Sequence, residues 1–300
     1  MELPALTGPP KQHFDYRMTH SVMSRNGEAF PFAATTAAAR NARYDNQDAV
    51  GVCIAPDFVA GVVCDGCGST HETIERHSVS SNEVGAKLAC GLILHAAQKA
   101  LARKKHFSAP ELVERLSSSL ERSFKTTVKA FCGRDESKAE KFVFDYLMTT
   151  VVGFLVTREQ FVVFHSGDGV IAVNGEFDVL DRDEGSYFGS DLLPVCCPTR
   201  FPEGTTANHL KVYAFGDVKN LQSIFVATDG MVQLVKQHPQ QMAEFVKRIP
   251  PQEQCIDGFD FSLQEFRRDI AWNPNISVEL TDDASFALVR RISQKVEAAC

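Results

Sequence analysis

Nowhere does the 300-residue sequence approach the roughly 18 uncharged apolar residues in a row that a membrane helix needs. Its first residues, MELPALTGPPKQ, have no basic start followed by an apolar core, so neither a leader nor a membrane segment is expected and the protein is placed in the cytoplasm. Positive charge is also short. Lys and Arg number 31 against 38 Asp and Glu, a net charge of −7, which argues against a broad nucleic-acid footprint because neutralising phosphates takes a basic face. Repeats and low-complexity tracts are missing. The nine cysteines (Cys53, Cys64, Cys67, Cys90, Cys132, Cys196, Cys197, Cys255 and Cys300) form no disulfide-like framework, and their odd number suits reduced thiols. Cys64 and Cys67 have the C-x-x-C spacing of zinc or redox sites, yet adjacent Cys196 and Cys197 do not supply the second pair a structural zinc needs. They are read as small core or turn residues. What is present is 44% hydrophobic residues, enough for one large core or two ordinary ones, so the chain is globular.

The strongest local signal is Phe58 to Ser69, FVAGVVCDGCGS, a buried strand ending on Asp65-Gly66. Two other strands end alike: Phe161 to Phe164 leads into Asp168-Gly169, and Ile224 to Ala227 into Asp229-Gly230. Before the first lies the polar segment from Arg43 to Asp48 and a strand from Ala49 to Ile54. Turning at Asp57, this makes a hairpin that brings Asp48 to the same sheet as Asp65.

Residues 1–12 read as a flexible tail, 13–291 as one domain and 292–300 as a C-terminal tail. Phe14 to Ser24 suggests an edge strand, and Asn26 to Arg40 gives no clear reading. Val84, Leu88 and Leu92, then Leu112, Leu116, Leu120, Phe124, Val128 and Phe131, recur at helical spacing. They predict two amphipathic helices whose stripes pack in the core, with Ser108 and Glu111 at capping-box spacing before the second. Strands follow at Tyr146 to Val156, Phe161 to Phe164, Val170 to Val173 and Phe177 to Leu180, read as an antiparallel meander with a hairpin at Asn174-Gly175. Residues 181–209 form a long Pro- and Gly-containing excursion, a candidate flap. Strands at Lys211 to Ala214 and Ser223 to Ala227, helices at Met231 to Ile249 and Ser262 to Ala271, and a last strand at Ser285 to Val289 complete the order. Helices grouped in pairs among antiparallel strands make this an α+β protein with two sheets packed face to face and helices outside.

Asp48, Asp65, Asp168, Asp229 and Asp282 all lie at or beside strand ends. Each alone reads as well as an ordinary turn residue. Gathered, five carboxylates raise one another's pKa unless a cation compensates, and an all-oxygen donor set suits Mg²⁺ or Mn²⁺. Together with their neighbours these residues resemble the metal-dependent serine/threonine protein phosphatases of the 2C type, particularly the short bacterial forms. The likeness runs through Arg43 with Asn46-Gln47-Asp48, Asp65-Gly66-x-Gly68, Met148-Thr149-Thr150, Gly167-Asp168-Gly169, Thr228-Asp229-Gly230 and Asp282-Asp283-x-Ser285, over roughly residues 14–291.

The resemblance implies a four-layer αββα sandwich with a two-metal centre at one end. Asp65 would bridge both ions, with the Gly66 carbonyl and Asp48 on one and Asp229 and Asp282 on the other. Asp168 would mark a third, weaker position, and Arg43 would bind the substrate phosphate, a task its planar guanidinium suits. The implied reaction is hydrolysis of phosphoserine and phosphothreonine by a water or hydroxide shared between the ions. The implied partners are a phosphoprotein substrate and a cognate Ser/Thr kinase, with the enzyme a monomer. Motifs of other phosphatases are missing: no Cys-x5-Arg loop, no Asp-x-Asp-x-Thr, no Walker A loop and no Gly-Asn-His-Glu. The chain departs from many eukaryotic members at Cys67, where they carry His, at Gly169 and at Gln47. His71 is a nearby surface histidine, and no general acid is assigned. Two other readings share the fold: a catalytically inactive pseudophosphatase acting as a binding or scaffold module, and a phosphatase of small phosphometabolites.

Overall fold

The computed structural model describes residues 14–15, 31–39, 47–67, 81–103, 108–180, 187–202, 210–248 and 283–291. Its strands are β1 (Phe14–Asp15), β2 (Phe32–Ala39), β3 (Asp48–Ala55), β4 (Phe58–Asp65), β5 (Val151–Thr157), β6 (Gln160–Ser166), β7 (Gly169–Val173), β8 (Glu176–Leu180), β9 (Lys211–Asp217), β10 (Ser223–Ala227) and β11 (Ala284–Arg291). The helices are α1 (Glu83–Arg103), α2 (Ala109–Cys132), α3 (Glu136–Tyr146), α4 (Leu193–Cys196), α5 (Val232–Gln237) and α6 (Pro239–Arg248). The strands form two antiparallel sheets, a six-stranded one in the order β1-β2-β11-β10-β7-β8 and a five-stranded one in the order β3-β4-β5-β6-β9.

Strand alternation builds the layers, because successive side chains point to opposite faces. On β4, Phe58, Ala60, Val62 and Cys64 pack with α1 and α2, whereas Val59 and Val63 join the core between the sheets. On β10, Phe225 and Ala227 pack with Met231, Leu234 and Met242 of the α5–α6 side, whereas Ile224 and Val226 face the other sheet. The result is helices, sheet, sheet, helices: the expected four-layer α+β sandwich. Helix α2 starts where Ser108 caps it, its side chain accepting from the Glu111 N–H at 3.3 Å, and ends on Gly133 at a φ of 64°.

Several local expectations are corrected. Residues 146–180 are not one meander: β5 and β6 pair in the five-stranded sheet, β7 and β8 in the six-stranded one, and the chain changes sheets at Gly167 and Asp168. Gly167 and Gly169, at φ values of 90° and 145°, make that change of direction, which a side chain would strain. Helix α3 lies where the sequence shows no helical period, capped by Asp135, which accepts from the Lys138 N–H at 3.1 Å. The expected helix from Met231 to Ile249 is divided at His238, where Pro239 starts a new helix. Of the expected α1 stripe, Leu88 and Leu92 pack partly buried against the core, beside a more deeply buried row. Val84 is exposed, and Ala86, Ala89, Cys90, Ile93 and Ala97 form the buried face, small residues that let the helix lie close to β3 and β4. Phe131 is 74% exposed and stacks on Phe142 of α3 at 5.2 Å instead of entering the core. Of the excursion after β8, residues 187–202 are described, and there Arg200 pairs with Glu140 and the Thr199 N–H donates to Glu136, both of α3. The expected helix at 262–271 and most of the Phe14 to Ser24 strand lie outside the described residues. No described helix is long and apolar enough to cross a membrane.

Candidate functional site

The layer between the sheets continues at one end into polar residues of the same parity. Val50, Val52 and Ile54 of β3 line the layer, and two residues before Val50 comes Asp48. On β4 the series Val59, Gly61, Val63 leads to Asp65; on β10 Ile224 and Val226 lead to Thr228; on β11 Val289 and Ala287 lead back to Ser285. Four strand ends drawn from both sheets thus deliver polar side chains to one end of the sandwich.

Asp48 and Asp65 are direct partners in the β3–β4 register. Asp48 is buried and Asp65 half-buried. The Thr228 hydroxyl donates to Asp48 Oδ2 at 2.8 Å and accepts from the Ser285 N–H at 2.9 Å. Asp283, one residue before β11, is buried and its Oδ2 accepts from the Gln47 N–H at 2.9 Å. Burial pushes the Asp48 carboxyl up to about 7, with the negative charges of Asp283 and Asp229 adding to the rise and the hydrogen bond from Thr228 and the nearby Ser285 side chain opposing it. Asp229 therefore acts on the same carboxylate from the turn after β10.

Backbone packing fixes the two Asp-Gly turns. The Asp65 carbonyl accepts from the Thr149 hydroxyl at 2.9 Å and the Thr150 N–H at 2.8 Å. Gly66 pairs with Thr149, and its N–H donates to the Gln47 carbonyl at 3.1 Å. A Cβ on Gly66 would lie 2.6 Å from the Asn82 backbone, and one on Gly230 would lie 1.9 Å from the Asp283 carbonyl oxygen, so neither position admits a side chain without movement. Asp168 sits where the chain passes between the sheets, half-buried, and Gly169 presses against the Ala227 carbonyl beside the strand that leads to Asp229. His165 braces this turn with Nδ1 3.1 Å from the Gly167 carbonyl oxygen.

Asp48, Asp65, Gly66, Asp168 and Asp229 are thus at the same end, while Arg43, Asp282, Gly68 and His71 lie outside the described residues. Among the described residues no group of three or more His, Cys, Asp and Glu side chains closes on a single point as a metal cage. The chemistry of the donors nonetheless fits a hard divalent cation: they are carboxylates at neighbouring strand ends, and the burial that raises Asp48, with the charges of Asp283 and Asp229 adding, is what a cation would offset. Cys67 is buried, its N–H donating to the Met148 carbonyl at 2.9 Å, and none of the seven described cysteines forms a disulfide.

Two residues of the site escape sequence reasoning. Asn82 is fully buried; its amide donates to the carbonyls of Cys67 at 2.8 Å and Phe144 at 3.2 Å and accepts from the Met148 N–H at 3.0 Å. It ties the Asp65 turn to the end of α3, and a polar Asn just before a helix signals only a cap. Thr228 stands inside a recognised motif, but its bond to Asp48 spans 180 residues and both sheets, which no local pattern reveals.

A helix–sheet–sheet–helix sandwich with acidic turns at one end of its inter-sheet layer has the architecture of the metal-dependent protein phosphatases. More particularly, the chain belongs to the protein phosphatase 2C family, whose model matches residues 37–260. Among solved structures, a bacterial serine phosphatase carrying an arginine-to-lysine substitution is 14% identical, with a TM-score of 0.51 over 96% of this chain and 100% of the other. PppA from Pseudomonas aeruginosa, described as a key regulatory component of T6SS, is 16% identical, with a TM-score of 0.51 over 87% of this chain and 98% of its own. At these identities the likeness is one of fold. No curated protein matches.

Proposed function

We propose that the protein is a metal-dependent phosphoprotein phosphatase acting on phosphoserine and phosphothreonine. The observation that supports this most is the opposed pair Asp48 and Asp65 at the sheet ends, with Asp229 close enough to raise Asp48. Asp65, Asp48, Asp229, Asp282 and the Gly66 carbonyl would hold Mg²⁺ or Mn²⁺, and Asp168 would hold a weaker third ion. Bound there, divalent ions lower the pKa of water and offset charge on phosphoryl oxygens, which phosphate monoester hydrolysis, among the slowest uncatalysed reactions, requires.

The chain's own residues do the rest. Asp65 is aimed by the bonds its carbonyl accepts from Thr149 and Thr150. Asp48 is aimed from the opposite sheet by Thr228. Arg43 would orient the substrate phosphate by donating two bonds to its oxygens. The protein chain and a phosphorylated partner protein are the participants this reading implies, with a kinase as the source of the substrate.

The test is hydrolysis of p-nitrophenyl phosphate by the full chain. Activity is expected only with added Mg²⁺ or Mn²⁺, and Asp229→Asn should abolish it. Full activity in excess chelator would reject the proposal.

A further inference from the structure

We infer that Thr228 is a positioning residue whose hydroxyl, held in place by the β11 backbone, fixes the carboxylate of Asp48 across the gap between the two sheets for cation binding. This rests on the metal-dependent reading above and goes beyond it by assigning a residue outside the donor set.

Thr228 is buried at the end of β10, in line with Ile224 and Val226. A valine would match its shape and continue that apolar series. A buried hydroxyl is costly unless it is bonded, so its presence calls for partners. It has them in a defined order. The Ser285 N–H donates to Thr228 Oγ1 at 2.9 Å, occupying a lone pair, and the Thr228 N–H donates to the Ser285 carbonyl at 3.0 Å, locking the backbone. The single hydroxyl proton then has two acceptors in reach, Asp48 Oδ2 at 2.8 Å and the Ser285 carbonyl at 3.5 Å. The shorter bond, to a carboxylate, takes it.

This arrangement has direction. Thr228 and Ser285 belong to the six-stranded sheet, Asp48 to the five-stranded one. Asp65 lies opposite Asp48 on the same sheet, so their backbone spacing is set by the β3–β4 ladder alone. The orientation of the Asp48 carboxylate is set instead by the other sheet. A second tie, from the Gln47 N–H to Asp283 Oδ2 at 2.9 Å, holds the adjacent backbone to the start of β11. The β-branched Thr228 side chain is stiff about χ1, which suits a group that must hold one direction.

The experiment measures Mn²⁺ affinity of the full chain by isothermal titration calorimetry for wild type, Thr228→Val, Thr228→Ser, Asp48→Asn and the double variant Asp48→Asn with Thr228→Val. Far-ultraviolet circular dichroism and metal-free melting establish that each is folded. Thr228→Val should weaken Mn²⁺ binding by about 10- to 100-fold, the range of residues that orient metal ligands. Thr228→Ser should remain within roughly threefold of wild type, and adding Thr228→Val to Asp48→Asn should change affinity by less than roughly threefold. If Thr228→Val does not fold, Thr228→Ala supplies the same contrast with Thr228→Ser. Wild-type affinity in the hydroxyl-free variant overturns the inference, as does a loss that recurs in full on the Asp48→Asn background. No Mn²⁺ binding by the wild type rejects the metal-dependent reading itself and this inference with it.

Discussion

Asp48 concentrates the cost of the site in one side chain. Its carboxyl, raised from an ordinary value of 3.8 to about 7 by burial and by Asp283 and Asp229, keeps its proton in the metal-free native state after the unfolded chain has released it. Between about pH 4 and pH 7 the native state therefore binds more protons than the unfolded one, and its stability falls as pH rises, by on the order of 4 kcal/mol across the window. Asp191 is raised to about 6 by burial, with Glu121 adding and Lys211 opposing, and contributes in the same direction. Asp48→Asn cannot ionise. In chelator, its melting temperature should gain on that of wild type as pH goes from 4 to 8, and a constant gap in a pH series of calorimetric scans rejects the assignment. The acid itself was legible in the sequence because it lies two residues before Val50 in the apolar alternation of its strand, which fixes its face. Its partner Thr228 was not, since that contact depends on how two sheets stack.

Among the elements, the five-stranded sheet is closed by glycines lying under phenylalanines. Gly61 is the cross-strand partner of Phe154, Gly153 of Phe164 and Gly216 of Phe161. In the first two pairs a Cβ on the glycine would come within 2.3 and 2.6 Å of the ring carbons, so each ring takes the space a side chain would fill. Phe154 is fully buried between the sheets. Phe154→Ala leaves that space empty and should cost about 3–5 kcal/mol, read as a lower urea midpoint at unchanged slope. The strands themselves were legible as apolar runs with turn residues at their ends. The sheet each joins was not. Two hairpins joined by a Gly-Asp-Gly turn look the same in sequence whether the chain stays in one sheet or crosses to the next. Helix α3 gives no such signal for another reason: its buried face is only Ala139, Glu140, Val143 and Asp145, the last accepting from Lys141, too short and too polar to show a period.

For the whole molecule, the candidate site is also a clasp, because both sheets contribute to it and ligand binding there favours the stacked arrangement. Mn²⁺ at 100 times its dissociation constant should add about 2.7 kcal/mol to stability, a rise of roughly 5–10 °C in melting temperature for a domain of this size. Differential scanning calorimetry should show that rise in wild type and lose it in Asp229→Asn; an equal rise in both would place the stabilising ion elsewhere. The family and the layered fold were legible because ordered motifs and the grouping of helices and strands survive without knowledge of contacts. The parity that carries four strands from apolar layer to polar end also governs which length changes the gene can tolerate. Removing one codon between Asp48 and Val52 would turn Asp48 to the helix side of its sheet, whereas removing two would keep its face and only shorten its reach. Insertions and deletions within these strand ends are therefore constrained to even steps.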